Sequence, residues 1–108
     1  MIKHVGIIVD EFDKYIKIFE DLGGIVTYRG ITTEYDAECV FIDFGNAEVE
    51  LIKGLKKKSH LNRFLTRYGV GLHHIAFSGK GEKKGAKPNM KVSFNLKNRL
   101  LIETVKEK

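Results

Sequence analysis

The chain has 108 residues, 43% of them apolar and 31% charged, with one Pro and a formal net charge of +5. At roughly 100–200 residues per domain, this is the length of one compact domain, expected to span residues 1–108, and the composition excludes disordered and collagen-like chains. No apolar run approaches the roughly 18–20 residues of a membrane span, and Cys39, the single cysteine, excludes an internal disulfide and a cysteine-built zinc site.

The opening IKHVGIIV is an apolar run of strand length. Asp10 follows as a helix N-cap, and Phe12, Tyr15, Ile16, Phe19 and Leu22 recur at helical spacing until Gly23 and Gly24 end the helix. A short strand over Ile25 to Arg29 leads into a polar loop from Gly30 to Asp36. In CVFIDFGNAEVELI, two β-rich runs flank Gly45-Asn46, a strong hairpin signal. Residues 2–53 thus read as strand, helix and three strands, a first βαβββ module. Ser59 caps a linking helix over 59–68, with Leu61, Phe64, Leu65 and Tyr68 on its apolar face and Gly69 at its end. A shortened second module over 72–106 begins with the β run LHHIAF. The Gly/Lys-rich loop Ser78 to Asn89 follows, and MKVSFNL and LLIETV close the chain as strands around Lys97-Asn98-Arg99.

The basic residues gather at Lys56, Lys57 and Lys58 and at Lys80, Lys83, Lys84, Lys87 and Lys91, in turn-like contexts without interleaved aromatics. They read as solvated loops, or as a charged rim around an anionic small-molecule site, rather than as a nucleic-acid surface. Neither nucleic acid nor membrane is an expected partner. The first ten residues, MIKHVGIIVD, lack a long apolar region with a small-residue cleavage site, and the lone cysteine suits a reducing compartment, so the expected location is cytoplasmic.

A weak internal repeat links KHVGIIV with HHIAFS, and VELI with LIET, so each half carries a His on its first strand and a Glu on its last. His4, Glu50, His74 and Glu103 are therefore the candidate site. Alternation puts His4 on one face with Gly6 and Ile8, Glu50 with Glu48 and Ile52, and His74 with Ala76. It does not choose between His73 and His74, adjacent strand residues expected to face opposite sides. Buried His and Glu side chains are costly unless paired, hydrogen-bonded or metal-bound. Two imidazoles and two carboxylates meeting at one point suit a divalent metal ion with open positions for water or substrate.

The segments IKHVGIIVDEFDKYIKIFEDLGG, FIDFGNAEVELIKGL, GLHHIAF and LLIETV resemble the glyoxalase / vicinal-oxygen-chelate superfamily, and within it most closely methylmalonyl-CoA epimerase-like members. The resemblance implies an α+β fold in which paired βαβββ modules form a mixed half-open β-cup. It implies metal ligands at His4, Glu50, His74 and Glu103 and one divalent ion: Co, Mn, Ni, Zn, Fe or Mg. It also implies proton abstraction next to a carbonyl by a metal-dependent epimerase or isomerase, with an acyl-CoA as the expected small-molecule substrate. Glu103 matches a carboxylate that the family uses in catalysis. The opposite acid/base position aligns with Cys39, with Glu38 one residue out of register, and Glu48 is a further candidate on Glu50's face. A glyoxalase I-type (lactoylglutathione) lyase and a non-catalytic small-molecule binding module of the same superfamily are the alternatives. A ring-cleaving dioxygenase fits less well, because Glu50 fills a position its iron site needs open. Between HHIAF and the next strand the family has a helix and a strand, for which Ser78 to Asn89 is too short. The second half is therefore expected to lack both, leaving the cup less enclosed, with an exposed edge that favours a homodimer.

Overall fold

The first apolar run forms strand β1 (Ile2–Ile8), with alternate residues buried. It leads into helix α1 (Asp13–Asp21), which buries none of its own residues fully but leans Tyr15, Ile16 and Phe19 on a core of Val9, Phe12, Val40, Ile42 and Leu51. Asp10 is not its cap: the helix starts after Phe12 with no side-chain cap, and the Glu11 carboxylate accepts from the Lys14 amide at 3.2 Å instead. Leu22, expected on the apolar face, lies past the last helical turn and is exposed, while Gly23 takes the positive φ of 102° that turns the chain. Strand β2 (Ile25–Thr32) outruns its expected end at Arg29, and a 3-10 turn over Thr33–Tyr35 replaces most of the polar loop.

Strands β3 (Ala37–Asp43) and β4 (Glu48–Gly54) form the expected hairpin. Gly45 has φ 90°, and its amide donates to Asp43 Oδ1. Helix α2 (His60–Tyr68) starts at Ser59, whose Oγ accepts from the Asn62 amide, and closes at Gly69. It packs Leu61, Phe64 and Leu65 on Ile8, Ala37 and Ile52. Strand β5 (Gly71–Ser78) is followed by a two-residue strand β6 (Lys83–Lys84), then β7 (Met90–Lys97) and β8 (Leu100–Glu107).

The computed structural model describes residues 1–107. Its eight strands form one mixed sheet in the order β2-β3-β4-β1-β5-β8-β7-β6. Outward from the centre, the first half runs β1, β4, β3, β2 and the second runs β5, β8, β7, β6, so the halves are related by a pseudo-twofold axis between the antiparallel β1 and β5. This is the α+β cup expected from the sequence, with one correction. The second half keeps a vestigial fourth strand, β6, and lacks only the helix.

The missing helix leaves the outer face of the second half to solvent, and β7 is patterned accordingly. Met90 and Val92 are buried on the inner side, while Lys91, Asn95 and Lys97 point out. The cup is also not simply opened by the shortening. The segment after β6 crosses to the first half, where Lys87 Nζ lies 3.0 Å from both Glu48 carboxylate oxygens and 4.3 Å from the Phe41 ring centre. The Tyr35 hydroxyl donates to the Lys84 carbonyl at 2.8 Å. No helix among the described residues is long and apolar enough to cross a membrane.

Candidate metal centre

The sheet register places the four candidate residues before any side chain is considered. Across β4, β1 and β5, Glu50 lies opposite Gly6, which lies opposite His74. Across β1, β5 and β8, His4 lies opposite Ala76, which lies opposite Glu103. Directly opposed residues share a face, and so do His4 and Gly6, two apart on β1. All four therefore rise from the inner face of the cup. Each row has a small residue at its centre, which leaves room for the flanking side chains to lean inward. At Gly6 the room is needed, because a Cβ there would collide with the His74 ring.

The rows extend symmetrically: Phe41 on β3 lies opposite Glu50, and Phe94 on β7 lies opposite Glu103. The Phe41 ring meets His4 edge-to-face at 5.3 Å, and the Phe94 ring meets His74 at 5.6 Å. These aromatics were not singled out from the sequence. Their signal was the repeat itself, since each stands nine residues before the Glu of its half.

One ligand atom from each of His4, Glu50, His74 and Glu103 falls within 4.8 Å of all the others, and all four residues are buried. Glu103 Oε1 is 2.8 Å from His4 Nε2 and 3.1 Å from His74 Nε2, and Glu50 Oε1 is 3.3 Å and 3.4 Å from the same atoms. The two Nε2 atoms are themselves 3.1 Å apart. Despite these short distances, Glu103 Oε1 has no hydrogen-bond partner of acceptable geometry. Four ligand atoms crowd one point, and a buried carboxylate oxygen among them is left unpartnered, as in a set able to hold a divalent cation.

The electrostatics agree. Burial alone would lower the His4 pKa, but Glu103 and Glu50 outweigh it and raise it to about 9. His74 is raised against burial by the same two carboxylates. Burial would raise Glu50, yet the two histidines hold it down at about 2, and Glu103 is lowered for the same reason. In the absence of an ion, protons on the imidazoles supply the positive charge that the carboxylates need.

Glu50, His74 and Glu103 of the cluster line a cavity of about 300 Å³. Ala37, Ile52, Leu61, Val92 and Leu101 supply apolar surface, and Thr32, Tyr35, Cys39, His60 and His73 supply the remaining exchangeable side-chain protons. Cys39 does face this cavity, but its thiol is pushed up to about 12 by burial and by Glu50, so it stays protonated. Glu48 is not brought to the cluster: its carboxylate is engaged by Lys87 Nζ and, at 3.3 Å, by the Thr27 hydroxyl. Glu38 turns to Arg29, 3.8 Å away.

The sequence profile of the Glyoxalase/Bleomycin resistance protein/Dioxygenase superfamily matches residues 3–94. The chain belongs to that superfamily. A curated relative, the uncharacterized protein YqjC of Bacillus subtilis (strain 168), is 32% identical over 75 residues, which cover 68% of this chain and 54% of the relative. The chain thus spans about half the length of the curated relative it matches. Among solved structures, a hypothetical protein from Bacillus halodurans C-125 superposes with a TM-score of 0.89 at 20% identity, covering 100% of this chain and 94% of the other. Methylmalonyl-CoA epimerase from Mycobacterium tuberculosis gives 0.87 at 23% identity, with 99% and 87% covered. A Streptomyces coelicolor methylmalonyl-CoA epimerase in complex with 2-nitronate-propionyl-CoA gives 0.84 at 19% identity, with 96% and 94% covered. At these identities the likeness is one of fold.

The His73-His74 pair departs from simple alternation. Gly6 is opposite His74, but Ile7 is opposite Leu72, so β5 carries one extra residue at His73. A matching slip lies on β1 at Lys3, between the Ile2 and His4 pairings. The bulge turns His73 into the cavity beside His74 instead of out the other side. His60, also unanticipated, lines the cavity from the start of α2, so His60, His73 and His74 all face it and His4 lies just behind, in contact with His74.

Proposed function

We propose that this protein is a metal-dependent epimerase or isomerase that removes a proton next to the carbonyl of a small acyl thioester, most like methylmalonyl-CoA epimerase. The observation that carries the reading is the buried His4–Glu50–His74–Glu103 cluster, of which Glu50, His74 and Glu103 stand in the wall of a largely apolar cavity. These four residues would hold one divalent ion. When bound, the ion would act as a Lewis acid toward the substrate's carbonyl or carboxylate oxygen. The remaining work falls to the chain. Ala37, Ile52, Leu61 and Val92 exclude water from around the acyl group. Glu103 is the proton acceptor, a carboxylate kept ionised by the adjacent imidazoles and facing the cavity. Cys39, held protonated, can return a proton but cannot remove one. The cavity suits a short acyl chain rather than a whole coenzyme, and exposed Lys84, next in the chain to the cavity-lining Gly85, suits the coenzyme's phosphates.

The test is exchange of the C2 proton of methylmalonyl-CoA in deuterated buffer, using protein loaded with Co(II). Wild-type protein should incorporate deuterium, and Glu103→Gln should be slower by about 10²–10⁴-fold, the usual contribution of a positioned base. No exchange by the wild type, or an unchanged rate in the variant, removes the reading.

One observation favours a second reading. Among the described residues, the only carboxylates lining the cavity are Glu50 and Glu103, and both belong to the cluster. A single base suits transfer between adjacent carbons on one face, as in a glyoxalase I-type lyase. Consumption of the methylglyoxal–glutathione hemithioacetal, without exchange on the acyl-CoA, would select it.

A further inference from the structure

The bulge on β5 places His73 and His74 side by side, with their Nδ1 atoms 2.8 Å apart and their rings nearly perpendicular at 85°. Two ring nitrogens at that separation share one proton, and one of them must accept. His74 Nε2 points at the carboxylates, 3.1 Å from Glu103. An imidazole that gives its Nε2 to a cation keeps its proton on Nδ1. The donor is therefore His74 Nδ1–H and the acceptor is His73 Nδ1.

His73 is itself held from behind. The Phe64 ring of α2 meets it edge-to-face at 5.8 Å, and His60 lies 6.5 Å away on the same helix. The other half has no counterpart. The residue at its bulge is Lys3, whose ammonium leaves for Glu107 at 2.9 Å.

We propose that His73 is a positioning residue: by accepting the Nδ1–H of His74, and being braced by α2, it fixes the tautomer and ring plane that present His74 Nε2 as a ligand atom. The consequence for metal affinity rests on the metal-centre reading above, whereas the hydrogen bond does not.

Two measurements separate them. Co(II) titration, followed by its visible absorption bands, compares wild type with His73→Ala and His73→Asn. The Asn Oδ1 can take the place of the accepting nitrogen. The Ala variant should bind Co(II) about 10–100-fold more weakly, the usual cost of losing an outer partner, and the Asn variant should recover most of that loss. Ala binding like the wild type, or Asn no better than Ala, overturns the proposal. The second measurement uses metal-free protein with 15N-labelled histidine. A nitrogen–nitrogen coupling across the hydrogen bond should join His73 and His74 in the wild type and vanish in both variants. If the wild type takes up no Co(II), the metal reading fails, and the coupling alone decides the hydrogen bond: its presence supports it and its absence refutes it.

Discussion

His4 shows how tightly charge is balanced in this core. In the metal-free protein its pKa is raised from 6.5 to about 9, so the protonated imidazole stabilises the folded state fully below 6.5, and that stabilisation is lost as pH rises through 9. Glu50 runs the other way: lowered from 4.5 to about 2, it stabilises above 4.5 and fails only as pH falls through 2. Thermal denaturation of chelated protein should therefore show its highest Tm between roughly 4.5 and 6.5 and a decline toward 9. A Tm that climbs over that alkaline range would contradict the ionic account of the cluster. Metal affinity should move oppositely, rising with pH because each ion must displace imidazole protons. Gly6 is the uncharged partner of this balance. Gly6→Ala puts a methyl group where the His74 ring lies, and accommodating it costs on the order of 1–3 kcal/mol or displaces the ring. Loss of Co(II) binding in a folded Gly6→Ala protein, by titration alongside circular dichroism, is the expected result. Full binding would mean that the ring does not need that space.

At the scale of elements, legibility in the sequence follows how local the determining physics is. The Ser59 cap, the Gly45 turn and the positive φ at Gly69 are set by neighbouring residues, and each stands where the sequence put it. The His/Glu repeat was legible because symmetry copies it: His4 and His74 lie on the central strands of their halves, and Glu50 and Glu103 lie on the strands beside them. Asp10 misled because Asp is a good cap in isolation, but Val9 and Phe12 are buried in the core beneath α1, and that packing starts the helix later. The β5 bulge could not be read at all. It is a mismatch between two strands, visible only once Ile7 is found opposite Leu72. For the same reason alternation assigned His73 and His74 to opposite faces. The strap from Lys84 to Lys87 was unreadable too, since nothing in a Gly/Lys-rich segment specifies that its lysine will reach Glu48, 39 residues earlier.

For the whole molecule, the two halves are unequally built, although the site draws equally on both. The first half has α1 and α2 packed on its strands, with buried clusters centred on Val40, Ile42 and Leu51 and on Ile8, Ile52 and Leu61. The second half has no covering helix. Its buried side chains Ala76, Met90, Val92 and Val105 join Cys39 and Phe41 in one cluster that spans the cup. Two of the four cluster residues come from each half, so an ion held there would tie the weaker half to the stronger. Binding at 100 times Kd adds about 2.7 kcal/mol to the folded state, which for a domain of this size raises Tm by on the order of 10 °C. Removing the ion should not loosen the molecule evenly. Hydrogen exchange on chelated protein should speed up most in β5, β7 and β8, while amides of β3 and β4 between the helices and the cup keep their protection. His4→Ala, with the ion present, should reproduce that pattern if the tie depends on the ligand set. Equal acceleration in both halves would show that the sheet unfolds as one unit and that the cluster does not bridge halves of different stability.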